Sequence, residues 1–143
     1  MIYLDSCALL KLVHPEAETE ALRRFLKKRI RTPKVSSAIA RAELVRAVRR
    51  ANCDAAGNVH KASLLDAELE LSRQLIGTLR LVDVTRPVLV DAGMAAGPLL
   101  RTLDAFHLVA AARLGAGLST LVTYNKRLAA AAEAAGLPVA APN

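Results

Sequence analysis

Short apolar runs alternate along the chain with longer stretches in which apolar residues recur every three or four positions. The first pattern marks buried strands, the second amphipathic helices. Ile2-Tyr3-Leu4 is a strand of the buried kind, and Cys7 to about Val13 predicts a helix, with Ser6 placed to cap it and His14-Pro15 to break it. Glu16 to about Ile30 reads as a second helix, with Ala17, Leu22, Phe25 and Leu26 on one side. Val35-Ser36-Ser37, after Pro33, is a second short strand. Ala38 to Ala51 predicts a strong helix in which Leu44, Val45, Val48 and Ala51 share a wide apolar arc. A loop over 54–58 containing Gly57 leads to a further helix from His60 to about Ile76. Leu79 to Val84 is a third strand, and Pro87 suits the first turn of a helix reaching about Ala96, which Gly97-Pro98 ends. Leu103 to Leu114 is helical and closed by Gly115 and Gly117. Leu121-Val122-Thr123 is a fourth strand, Asn125 can cap an alanine-rich helix ending at Gly136, and Leu137-Pro138-Val139 is a last edge strand.

Strands thus alternate with helices and no tandem hairpins occur, which predicts an α/β fold with a mostly parallel sheet covered by helices on both faces. In such folds the site lies beyond the C-terminal ends of the strands. Asp5 and Thr123-Tyr124-Asn125 fall at such ends. A chain of 143 residues without repeats or long linkers is expected to form one domain, residues 1–143.

Composition narrows the function. Apolar residues make up 53%, largely Ala and Leu, with no Trp, which favours helices with small residues at close contacts. The apolar segments are short and broken by charge, so no membrane span is expected. Met1-Ile2-Tyr3-Leu4-Asp5 lacks the basic start and apolar run of a signal peptide. Cys7 and Cys53 form no CxxC or Cys/His cluster, which argues against structural zinc and for a reducing cytoplasm. The net charge of +7 points to a polyanionic partner, most commonly nucleic acid.

Against that basic background stand three separated acids: Asp5 after the first strand, Glu43 within 38–45, and Asp104 at the start of a markedly apolar helix. Carboxylates repel one another, so convergence of the three would serve mainly to hold a hard divalent cation. Each also has a plainer reading. Asp5 and Asp104 suit helix N-termini, and Glu43 has the helical spacing to pair with Arg46 or Arg50. Ser6 is available as the cap in place of Asp5, and one acid on a largely buried helix is a better ligand than cap. Asn125 either completes the set or only caps its helix. His107, a turn beyond Asp104, reads as a packed histidine without a catalytic role, and Cys7 as a small core residue.

Four motifs occur in order. They are Ile2-Tyr3-Leu4-Asp5-Ser6; Ser37, Ile39, Glu43 and Leu44 in a Ser-x-Ile-x-x-x-Glu-Leu spacing; Leu103-Asp104-Ala105-Phe106-His107-Leu108; and Leu121-Val122-Thr123-Tyr124-Asn125-Lys126-Arg127-Leu128. On these the whole chain resembles the PIN-domain family, and within it the VapC-type toxins of bacterial toxin–antitoxin pairs. The resemblance implies a three-layer α/β/α PIN-like fold with a short, mostly parallel central sheet. It implies a Mg²⁺-dependent endoribonuclease, with Mn²⁺ able to substitute, in which Asp5, Glu43 and Asp104 match the acidic metal-binding residues. Ser6 and Thr123 match polar residues lining the site, and Arg46 and Arg50 are placed to guide the RNA backbone. A VapB-type antitoxin and a homodimer are also implied, with the helices over 16–30 and 38–51 as the candidate docking surface.

The family often carries Asp where this chain has Asn125, an uncharged ligand. Three carboxylates balance one Mg²⁺ with a charge to spare, so one metal or two remain open, and a catalytically weak or inactive PIN-like RNA- or protein-binding module is the alternative. A haloacid-dehalogenase-type phosphatase would need Asp two residues after Asp5, where Cys7 stands. A phospho-acceptor receiver would need paired N-terminal acids and an acceptor elsewhere than residue 5.

Overall fold

The computed structural model describes residues 1–95, 97 and 99–143. Its elements are β1 (Ile2–Leu4), α1 (Ser6–Val13), α2 (Thr19–Lys27), β2 (Lys34–Ser37), α3 (Ala40–Ala51), α4 (Ala62–Gly77), β3 (Arg80–Val82), α5 (Arg86–Gly93), α6 (Thr102–Ala112), β4 (Thr120–Val122), α7 (Lys126–Ala134) and β5 (Val139–Ala140). The five strands form one sheet in the order β3-β2-β1-β4-β5, and every pairing is parallel.

Side chains alternate across a strand, and the three residues of β1 divide accordingly. Ile2 and Leu4 pack with Leu9, Leu22, Leu44, Val48 and Ile76 from α1 to α4, whereas Tyr3 packs with Leu108, Ala111, Leu128 and Ala132 from α6 and α7. The result is the expected three layers. Each fully buried leucine among these contributes about 2 kcal/mol by leaving water. Because both faces are covered, β1 is a continuous apolar run rather than an alternating one.

Several boundaries differ from the sequence expectation. Ser6 does not cap α1. Asp5 does, with extended backbone (φ −77°, ψ 174°) and a carboxylate oxygen 2.9 Å from the Ala8 amide, while Ser6 becomes the first helical residue. The helix expected from Glu16 begins only at Thr19, because the Thr19 hydroxyl accepts from the Glu16 amide and donates to the Lys11 carbonyl, both at 2.8 Å. That turn fastens residues 16–18 to α1 and stops them joining α2. α2 ends at Lys27 rather than Ile30, and residues 28–32 are turns. β3 is limited to Arg80–Val82, and its last residue pairs with Ser37 of β2. α5 stops at Gly93, and the expected helix end at Ala96 and break at Pro98 lie outside the described residues. Among the described residues no helix is long and apolar enough to cross a membrane.

Candidate active site

Register brings the first two site residues together. Leu4 of β1 lies opposite Val122 of β4, so the residues that follow, Asp5 and Thr123, emerge side by side at the C-terminal edge of the sheet. Asp5 is 3% exposed, and three groups donate to its carboxylate: the Ala8 amide, the Thr123 hydroxyl and the Cys7 thiol, whose Sγ lies 3.0 Å from each oxygen. Burial still raises its pKa, against the opposing effects of His107 and these donors. Cys7 accepts from the Tyr124 amide at 3.2 Å, and burial together with the Asp5 charge pushes its thiol up to about 12. Cys7 is therefore more than a core filler: it is a protonated donor that braces an anion.

Glu43 lies in the first turn of α3, where acids suit the helix dipole. Its Oε2 accepts from the Ser6 hydroxyl at 2.6 Å and lies 2.8 Å from His107 Nε2. Burial acts to raise its pKa, but the hydrogen bonds and charge of His107 and the Ser6 bond outweigh it and hold the carboxyl low. The plainer expectation, pairing with Arg46 or Arg50, does not occur; both arginines line the cleft below.

Asp104 occupies the first turn of α6. Its Oδ1 accepts from Asn125 Nδ2 at 2.9 Å, while Oδ2 is buried with no hydrogen-bond partner. Asn125 also caps α7, its Oδ1 accepting from the amides of Arg127 at 3.1 Å and Leu128 at 3.4 Å. Asn125 thus caps its helix as expected and also reaches Asp104. The cap takes the side-chain oxygen, so Asn125 presents N–H groups to Asp104 and not the ligating oxygen expected of it.

These residues open on one cleft of about 280 Å³ lined by Asp5, Ser6, Glu43, Asp104, His107 and Asn125, with Arg46 and Arg50. Thr123 stands behind it, holding Asp5. A neighbouring cleft of about 560 Å³ shares Arg46 and Arg50 and adds Arg49, so a basic path continues away from the acids. His107 lines the cleft without having been expected there. His107 could have been found from its position three residues after Asp104, which sets both on one helix face.

The PIN domain family model matches residues 2–134. The chain belongs to the PIN-domain family. Ribonuclease VapC46 of Mycobacterium tuberculosis is 44% identical over 142 residues, covering 99% of this chain and 98% of that relative. Among solved structures, VapC20 of Mycobacterium tuberculosis, described as a sarcin–ricin-loop-cleaving toxin, superposes with a TM-score of 0.70 at 16% identity, over 99% of this chain and all of that one. The VapBC2 structure from Rickettsia felis, bound to a fragment of its promoter DNA, gives 0.69 at 16% identity over the full length of both chains. At such identities the structures show the PIN fold alone, and the full-length relative places the chain among the VapC ribonucleases.

PIN-domain ribonucleases are metal-dependent, and the residues present suit a hard cation. The donors are carboxylate oxygens, and the partnerless Asp104 Oδ2 is a buried anionic atom that a cation would satisfy. As positioned, no three Asp, Glu, His or Cys side chains among the described residues converge closely enough to ligate one ion. Glu43 is drawn to Ser6 and His107, and Asp5 to Cys7 and Thr123.

Proposed function

We propose that this chain, as a single PIN domain over residues 1–143, is a Mg²⁺-dependent endoribonuclease and the toxin of a VapBC-type pair, with Mn²⁺ able to replace Mg²⁺. The observation that carries the site assignment is that acids from three separate segments, Asp5, Glu43 and Asp104, open on one cleft that continues into an arginine-lined one. A cation bound there would supply Lewis-acid polarisation of the phosphate and activation of water.

The chain's own residues supply the rest. Asp5, Glu43 and Asp104 hold the cation. Thr123 and Cys7 fix Asp5, Ser6 fixes Glu43, and Asn125 fixes Asp104. Arg46 and Arg50 have no carboxylate partner among the described residues, so their guanidiniums are available to align the RNA backbone. Water attacks phosphorus in line and the bond to the 3′ oxygen breaks, leaving 5′-phosphate and 3′-hydroxyl ends. The family assignment supports a VapB-type antitoxin, a homodimer and a cytoplasmic location, with the faces of α2 and α3 as the docking candidate.

One observation favours the rival, a PIN-like RNA- or protein-binding module without turnover: Asn125 turns N–H groups, not oxygen, toward Asp104. Chemistry separates the two. Incubated with RNA and Mg²⁺, the protein is expected to yield fragments with 5′-phosphate ends, and EDTA to stop their formation. No fragments in Mg²⁺ would favour the module, and 2′,3′-cyclic phosphate ends would refute the mechanism.

A further inference from the structure

Behind the cleft runs a chain of buried polar groups. The Tyr3 hydroxyl lies 2.7 Å from His107 Nδ1, and His107 Nε2 lies 2.8 Å from Glu43 Oε2 and 3.0 Å from Ser6 Oγ. Tyr3 is 0% exposed and His107 2%. The two rings meet edge to face, with centroids 5.8 Å apart and planes at 79°.

The donors can be assigned. The Ser6 hydroxyl gives its proton to Glu43, so a bare Nε2 would set its lone pair against a carboxylate oxygen. Nε2 therefore carries hydrogen.

The three links sit on the three elements that carry the acids. Tyr3 is two residues before Asp5 on β1, His107 is three residues after Asp104 on α6, and Glu43 is on α3. We propose that Tyr3 and His107 act as positioning residues: the Tyr3 hydroxyl holds the His107 ring from behind, and His107 Nε2–H holds Glu43 Oε2 so that Oε1 is left for the cation. This rests on the metal-site reading above. Donors behind a ligating carboxylate commonly govern metal affinity about 10- to 100-fold.

The experiment combines two readouts on the whole protein. Nitrogen-15 NMR of the metal-free wild-type protein, which needs no substitution, is expected to show a protonated Nε2 at His107. Mn²⁺ binding by calorimetry, at a temperature where each variant is shown to be folded, is expected to weaken about 10- to 100-fold in His107→Leu. His107→Gln, whose amide can still donate to Glu43, should recover most of that loss. Tyr3→Phe, which releases the ring from behind, should weaken Mn²⁺ binding by less. An unprotonated Nε2 in the wild-type protein, or His107→Leu binding Mn²⁺ as tightly as wild type, would overturn the proposal and leave the metal site standing. A wild-type protein that binds no Mn²⁺ would overturn the metal site itself, and this inference with it.

Discussion

Asp5 is a structural residue at the centre of the candidate site. It caps α1, it is buried, and it keeps a carboxylate at the sheet edge because three donors surround it. One of those donors, the Cys7 thiol, carries a testable consequence. Its pKa moves from 9.0 to about 12, so the thiolate fraction at neutral pH falls by about three orders of magnitude. The folded state holds a proton that the unfolded state releases. The associated stability is therefore complete below the unfolded thiol's pKa and is lost as pH rises toward about 12. In a Cys53→Ser protein kept in EDTA, alkylation at pH 8 should be slow when folded and at least about 100-fold faster in urea. Equal rates would show that Cys7 is not held in this way. Sequence made Asp5 and Asp104 legible because each interrupts or opens an apolar segment. The partners were not legible. Ser6 is drawn off to Glu43 and His107, leaving Asp5 to cap α1, and Asn125 meets Asp104 across the fold, partners from distant segments that local pattern does not contain.

At the scale of elements, the helices that carry the site are tied together away from it. Glu68 of α4, 3% exposed, lies 2.9 Å from His14 Nδ1 at the end of α1 and accepts from Asn52 Nδ2 at 2.7 Å at the end of α3. Glu68→Ala would leave the Asn52 amide and the His14 ring without their partner, at a cost of about 1–3 kcal/mol. A lower urea midpoint with Mn²⁺ affinity retained is expected, since α4 contributes no residue to the cleft. An unchanged midpoint would show that this junction does not brace α1 and α3. The order of elements and the parallel sheet were legible because β1 and β4 are compact apolar runs and the helices have a clear period. The starts of α2 and α3 were not. Thr19 binds the Lys11 carbonyl across eight residues, and the Ala38 amide is taken by the Val82 carbonyl, so tertiary hydrogen bonds trim helices that periodicity alone would extend.

The whole molecule joins two opposed charge patterns. A chain of net charge +7 attracts a polyanion, while the sheet's C-terminal edge gathers acids that would repel it. A cation between acids and phosphate would reconcile the two, with Arg46, Arg49 and Arg50 of α3 lining the clefts along which a phosphate backbone would approach. The three layers make this possible. Parallel strands deliver Asp5 and Thr123 to one edge, and α3 and α6, on opposite faces of the sheet, bring Glu43 and Asp104 to that same edge. The central claim is that Asp5, Glu43 and Asp104 form one metal site for cutting RNA. Its most direct test is the rate of Mg²⁺-dependent RNA cleavage by an Asp104→Asn protein with a wild-type melting temperature. Loss of at least about 100-fold relative to wild type is expected, given the influence of even indirect metal partners. A folded Asp104→Asn protein that cleaves at the wild-type rate would contradict the claim.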